Sequence, residues 1–252
     1  MKDMHRPVWR IVPGATDAVL FVHGILSTPR FWEGFVDCIP ADWSCASLLL
    51  PGHGGTVPDF GRVKWGQWRS HVHEAIAEMR RTHERVYLVG HSMGALISVL
   101  EAVQEERSVD GLLLMCVPLR IFVKPSAVLR NILKGVGLGE SAQELSSYYG
   151  TDQDWRVWRY ITWIPRYLEL FALSRAARKA LPQLRTPALA FMSAKDELVA
   201  RRSCRLLEGS QAVTLTMLPG SMHHTFARED SALIRRGLLR LCGRKQTGRN
   251  EE

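Results

Sequence analysis

Apolar residues in this chain gather in short blocks. Ala18 to Val22 (AVLFV) runs into His23-Gly24, Cys45 to Leu50 (CASLLL) into Pro51-Gly52, and Arg85 to Val89 (RVYLV) into Gly90. Gly111 to Val117 (GLLLMCV) ends at Pro118, Ala188 to Ser193 (ALAFMS) precedes Lys195-Asp196, and Val213 to Leu218 (VTLTML) ends at Pro219-Gly220. Near-continuous apolar runs of this length, closed by turn residues, predict strands covered on both faces. Val8 to Val12 adds a candidate antiparallel edge strand. Longer stretches with helical periodicity lie between them, at Arg30–Cys38, Lys64–Thr82, Met93–Glu106, Arg201–Glu208 and Ser231–Leu241. Strand–helix alternation predicts an α/β fold with a mostly parallel sheet flanked by helices. Sites in such sheets gather at the carboxyl ends of the strands.

One stretch breaks the alternation. From about Arg120 to Pro182 no strand pattern occurs, and large residues accumulate: Tyr148, Tyr149, Trp155, Trp158, Tyr160, Trp163, Tyr167 and Phe171. The segment predicts a small helical cap, residues 120–182, inserted into a core made of residues 1–119 and 183–242. Its aromatics pack the cap on the body, or a few of them line an apolar acyl pocket. The tail, residues 243–252 (GRKQTGRNEE), is expected to be disordered.

Composition narrows the class. The chain has 252 residues, 46% hydrophobic and 23% charged, which suits a globular enzyme. No apolar run reaches the roughly 18–20 residues that span a bilayer, so no integral membrane segment is expected. Residues 1–10 lack the apolar core of a secretory signal. Cys38, Cys45, Cys116, Cys204 and Cys242 are widely spaced with no CxxC pair, which argues for reduced thiols in the cytoplasm and against a disulfide framework or zinc site. The net charge of +8 is spread along the chain rather than concentrated on one aromatic-laced element. That distribution speaks against nucleic-acid binding. It leaves room for peripheral contact with an anionic lipid surface.

Gly90-His91-Ser92-Met93-Gly94 supplies the candidate chemistry. The GxSxG pattern follows the RVYLV strand and opens the Met93 helix, so Ser92 is expected at a strained strand-to-helix turn with its hydroxyl above the sheet. The helix N-terminus puts N–H groups where negative charge develops. The bland alternative is a glycine-bounded turn with a serine N-cap. A serine nucleophile needs a base and an orienting acid. Asp196, after ALAFMS, is the candidate acid, with Glu197 as its rival. His223 and His224, after VTLTML, compete as the base, and the order Ser…Asp…His holds with either. His23-Gly24-Ile25 sits at the end of the AVLFV strand, and His23 itself reads as a structural turn residue. Pro51-Gly52-His53-Gly54-Gly55-Thr56 lacks the Lys-Ser/Thr of a phosphate loop and reads as a tight loop beside the site.

Taken in order, HGI at 23–25, PGHGGT at 51–56, GHSMG at 90–94, MCVP at 115–118, KDELV at 195–199 and SMHHTF at 221–226 resemble the bacterial carboxylesterase and monoacylglycerol lipase branch of the α/β-hydrolases. The resemblance spans about residues 17–241, the cap matching in length and position only. It implies the α/β-hydrolase fold, esters of short to medium acyl chains or monoacylglycerols as substrates, and no metal or organic cofactor. It implies backbone N–H groups of Ile25 and Met93 as the oxyanion hole. Ser221-Met222-His223 matches the Ser-x-His segment that carries the family's base, which favours His223; His224 departs from the small aliphatic residue usual there. Thioester hydrolysis on the same residues is the alternative activity. A binding protein without catalysis is the alternative from another class.

Overall fold

The computed structural model describes residues 5–104, 108–122 and 156–243. Seven strands form one sheet: β1 (Val8–Arg10), β2 (Asp17–Val22), β3 (Ser44–Leu48), β4 (Arg85–His91), β5 (Gly111–Met115), β6 (Ala188–Ser193) and β7 (Val213–Leu218). Their order is β1-β3-β2-β4-β5-β6-β7, with β1 antiparallel to β3 and every other pair parallel. The helices are α1 (Glu33–Val36, after a 3₁₀ turn at Pro29–Trp32), α2 (Val57–Arg62), α3 (Trp65–Arg80), α4 (Met93–Gln104), α5 (Ile164–Ala180), α6 (Arg202–Glu208) and α7 (Arg228–Leu241). The expected α/β architecture is thus present.

Side chains alternate across a strand, so a sheet covered on both sides needs apolar residues at every position. Leu20, Val22, Leu48, Leu88, Leu112 and Leu114 face a core closed by α3, α4 and α5. Val19, Phe21, Val89, Leu113, Met115 and Phe191 face a second core, closed by Trp32, Phe35, Ile234 and Leu238. The two edge strands are the exceptions: Val8 and Trp9 of β1 and Thr214 and Met217 of β7 are exposed, because an edge strand is only partly covered.

The register aligns the strand ends. Val22 pairs with both Leu48 and Gly90, His91 pairs with Met115, Met115 with Phe191, and Ser193 with Leu218. The segments that follow these residues therefore emerge along one edge of the sheet.

Several elements differ from their sequence expectation. The helix expected at Arg30–Cys38 is a 3₁₀ turn plus one helical turn. Pro40 disfavours helical backbone at Ile39, and the Cys38 and Ile39 N–H groups bond three residues back, to Phe35 and Val36. The strand expected to reach Val117 stops at Met115, since Cys116 takes a left-handed φ of 49°. α2 was not anticipated. It begins at Thr56, whose N–H and hydroxyl both donate to Asp59 Oδ2, at 2.9 and 2.6 Å.

Much of the expected cap, residues 123–155, lies outside the described residues, as does the tail beyond Gly243. The rest of that segment is partly core. Leu173 and Ala177 of α5 are buried with Leu181. The Ser174 hydroxyl donates to the Pro118 carbonyl at 2.6 Å, and Arg178 donates to the Leu119 carbonyl at 2.9 Å. Trp163 is buried against Phe60, their ring centres 5.1 Å apart, and its indole N–H donates to the Val57 carbonyl.

α4 is buried on every side from Met93 to Ala102. It lies between the sheet, α3 and α5, so it is apolar all round rather than amphipathic. Its one charge, Glu101, is answered from α3: Arg69 Nε lies 2.6 Å from Oε1, and His73 Nδ1 lies 2.9 Å from Oε2. Because Arg69 and His73 keep part of their hydration, Glu101→Ala should cost about 1–3 kcal/mol rather than the larger penalty of a fully buried pair. Urea titration checks this, and a double-mutant cycle with Arg69→Ala should show coupling between the two positions.

Candidate active site

β4 delivers Ser92 to the sheet edge. Its φ of 52° is unusual for a residue with a side chain. That conformation is held from several sides. The Ser92 N–H donates to the Met115 carbonyl at 2.9 Å, and the Ser92 carbonyl accepts from Ala95 and Leu96, which starts α4 at once. The flanking glycines are required by close approach. A Cβ on Gly90 would lie 2.7 Å from Ala95 backbone atoms, and one on Gly94 would run into the carbonyls of Val22 and His23. The helix therefore sits tightly across the ends of β2 and β4, and GxSxG is the sequence that fits this crossing.

Asp196 and His223 come to Ser92 from the ends of β6 and β7. His223 Nε2 is 2.9 Å from Ser92 Oγ, and His223 Nδ1 is 2.8 Å from Asp196 Oδ2. All three side chains are nearly inaccessible to solvent. Asp196 can only accept when ionised, so Nδ1 carries the proton and Nε2 is left to accept from the Ser92 hydroxyl. Burial by itself would raise the Asp196 pKa. The hydrogen bond and charge of His223, with the Leu198 and Val199 N–H groups at 2.8 and 2.9 Å, reverse this and hold it below the usual range.

The two rival positions separate in the structure. Glu197 does not reach the imidazole; its Oε2 accepts the main-chain N–H of His223 at 3.3 Å. His224 lies edge-on to His223, ring centres 4.6 Å apart, and bonds neither Ser92 nor Asp196. Burial, followed by the neighbouring His223, lowers its pKa. The loop carrying His223 is fixed by a residue the sequence did not single out. Asp230, in the first turn of α7, accepts from the Ser221 hydroxyl at 2.6 Å and the Gly220 N–H at 2.8 Å. The Ser221 hydroxyl oxygen in turn accepts the Ala227 N–H at 3.1 Å. A Ser nine residues before an Asp in a helix's first turn is a legible signal only once both are known to meet.

Ile25 follows Gly24, which lies against Ser92, and Met93 follows Ser92 directly. Met93 is the first residue of α4, and among the described residues neither N–H enters a turn hydrogen bond. The His23 ring is structural: Nδ1–H donates to the Gly24 carbonyl at 2.8 Å and Nε2 accepts the Leu50 N–H at 3.1 Å. It thereby ties the HGI turn to the glycine-rich loop. A cleft of about 390 Å³ is lined by Pro51 of that loop with Lys64, Gln67, Ser70, His71 and Glu74; none of Ser92, Asp196 and His223 lines it.

His91, Cys116 and His223 bring possible metal-ligand atoms within 4.8 Å of one another. The residues fit a hydrogen-bond network better than a metal. Both His223 nitrogens are engaged, Cys116 Sγ lies 3.3 Å from Ser193 Oγ, and burial, with Asp196 behind it, pushes the Cys116 thiol pKa up.

Comparison with known proteins follows this geometry. Residues 19–235 match the model of the alpha/beta hydrolase family. The chain belongs to that family. Over 111 residues it is 28% identical to monoacylglycerol lipase abhd6-B of Xenopus laevis, a stretch that is 41% of this chain and only 31% of that relative. Among solved structures, one from work on LipS and LipT, two metagenome-derived lipolytic enzymes, superposes with a TM-score of 0.72 at 20% identity, covering 94% of this chain and 97% of that one. A Paleococcus ferrophilus monoacylglycerol lipase superposes at 0.64 with 17% identity and the same two coverages. At such identities these likenesses speak to the fold.

The buried imidazoles set an acid limit. Burial lowers the His53 pKa from 6.5 to about 4. Well above pH 6.5 the His53 ring is neutral in both the folded and the unfolded chain and contributes no pH dependence. Between 6.5 and about 4 the unfolded chain takes up a proton that the fold refuses, and stability falls. The loss from this one residue is about 3 kcal/mol, and it levels off below the folded pKa. Urea midpoints measured from pH 8 to 4 should show this decline, and His53→Phe should make it shallower.

Proposed function

We propose that this chain hydrolyses carboxylic esters, of short to medium acyl chains or monoacylglycerols, through an acyl-enzyme on Ser92. The observation that carries the reading is the hydrogen-bond chain from Asp196 through His223 to Ser92, closed at 2.8 and 2.9 Å. In this scheme His223 takes the Ser92 proton as Oγ attacks the ester carbon. The Ile25 and Met93 N–H groups receive the negative charge on the ester oxygen. The intermediate collapses, the alcohol leaves with the proton from His223, and a water deprotonated by His223 then releases the acid. Asp196 keeps the imidazole in its Nδ1–H tautomer and stabilises the imidazolium. No cofactor enters the scheme. The similar proteins that are monoacylglycerol lipases support an ester substrate, although abhd6-B is matched over about a third of its length.

Ser92→Ala and His223→Ala should each lower kcat on p-nitrophenyl butyrate by at least about 10³-fold. His224→Ala should stay within about tenfold of the parent. Full activity in the Ser92 variant would end the reading, and a dead His224 variant beside an active His223 variant would reassign the base. The same assays across acyl chain lengths, monoacylglycerols and acyl-CoA separate ester from thioester hydrolysis.

The residue 120–182 segment is proposed to cap this site, and five cysteines that form no disulfide suit a cytoplasmic setting. Among the described residues, no helix is long and apolar enough to cross a membrane. Peripheral contact with an anionic lipid surface is supported by one face of α5 and the turn before it. Ile161, Ile164, Leu168 and Phe171 fall at helical spacing and are 47–68% exposed. The stripe runs on into exposed Arg175 and Lys179, while Glu169, the one acid between Arg156 and Ala180, is paired with Arg166. Anionic vesicles should retain the protein better than neutral ones. The double variant Ile164→Asp, Leu168→Asp should lose this at unchanged activity on soluble esters. Equal retention of parent and variant would remove the lipid contact.

A further inference from the structure

We infer that His91 is a positioning residue for His223: its ring holds the His223 main chain, and through it the imidazole, against Ser92. The inference rests on the ester-hydrolase reading above.

His91 is the last residue of β4 and is completely buried. Its Nε2 lies 2.9 Å from the main-chain oxygen of His223. A carbonyl oxygen only accepts, so the ring carries its proton on Nε2 and donates. Nδ1 is then bare, and it has no hydrogen-bond partner. Gly24 lies directly against it: a Cβ there would come within 3.0 Å of Nδ1 and 3.1 Å of Ser92 Cβ. That contact leaves no room for a side chain beside the ring.

The ring is clamped in this orientation. It stacks on Phe31 with ring centres 4.3 Å apart, and the edge of Phe226 closes another side at 6.4 Å. His223 and His224 lie tilted against it at 5.0 and 5.2 Å. Burial first, and then these two histidines, keep its pKa well below the ordinary value. A neutral His91 also adds no like charge when His223 takes up a proton.

His223 is thus fixed at three points. Its N–H is held by Glu197, its C=O by His91 and its Nδ1 by Asp196. His91 is also the covalent neighbour of Ser92. The strand that presents the nucleophile therefore also fixes the base, so the two cannot drift apart independently. GxSxG needs no particular side chain at its second position, and here that position does this work.

The test compares replacements with and without a donor at the Nε2 position. His91→Phe keeps volume and stacking but donates nothing. His91→Asn places its amide near Nδ1 instead, and His91→Gln places it near Nε2. On p-nitrophenyl butyrate, the Phe and Asn variants should lose about 10- to 100-fold in kcat with KM within about twofold, the size expected of a base displaced by an ångström or less. His91→Gln should recover most of the loss. Circular dichroism and urea midpoints establish that each variant is folded; should the Phe variant not fold, the Asn and Gln pair carries the comparison. Unchanged kcat in the donor-less variants, or a Gln variant as impaired as the Asn variant, overturns the positioning role. Ser92→Ala run alongside separates this failure from failure of the hydrolase reading. A dead Ser92 variant with normal His91 variants removes only His91, whereas a fully active Ser92 variant removes both.

Discussion

The crossing of α4 over the ends of β2 and β4 is the constraint on which the rest depends. It forces Ser92 to φ 52°, a conformation that costs on the order of 1–3 kcal/mol and persists only where its surroundings over-determine it. Here they do. The Met115 carbonyl holds the Ser92 N–H, the first turn of α4 holds its carbonyl, and Gly94 lies against the carbonyls of Val22 and His23. α4 cannot relax the strain by moving, since the sheet, α3 and α5 enclose it. The strain fixes the hydroxyl at a known place above the sheet and leaves the Met93 N–H at a helix start.

Placing the partners is a separate problem, because β6 and β7 end in loops. The solution is a set of main-chain anchors rather than packing alone. Asp230 holds Ser221 and Gly220, His91 and Glu197 hold the two ends of the His223 residue, and Leu198 and Val199 hold Asp196. Polar groups this deeply buried are costly unless paired, so the same bonds that satisfy them also stiffen the loops. The reach of the site into both cores follows: His91 belongs to one side of the sheet through Phe31 and Phe226, while the HGI turn joins the other through His23, Leu50 and His53.

The strands were legible because doubly covered strands need apolar residues on both faces, as in the run AVLFV. Ser92 was legible because glycine is needed on both sides of the crossing. Helix ends and short helices were not so plain. α2 rests on a capping pair, Thr56 and Asp59, inside a loop dominated by glycine, and the Arg30–Cys38 helix is cut short by the backbone restriction before Pro40. α5 reads as part of the cap because residues 120–182 show no strand pattern and gather aromatics such as Tyr167 and Phe171, yet its Leu173 and Ala177 are buried in the core.

The sequence by itself determined the α/β class, the order of strand ends and which residue types stand at each. Those follow from local patterns: periodicity, turn residues and the glycine spacing around Ser92. Only the tertiary structure separates the neighbours in space. His223 and His224 carry the same imidazole, and Asp196 and Glu197 the same carboxylate, so residue chemistry alone does not separate them; only the family resemblance of Ser221-Met222-His223 favours His223. What separates them is direction: His223 projects toward Ser92 and Asp196 toward the His223 imidazole, whereas Glu197 turns to the main chain and His224 packs beside its neighbour. Direction is set by contacts with Asp230, nine residues after Ser221, with His91, far away in sequence, and by the strand register.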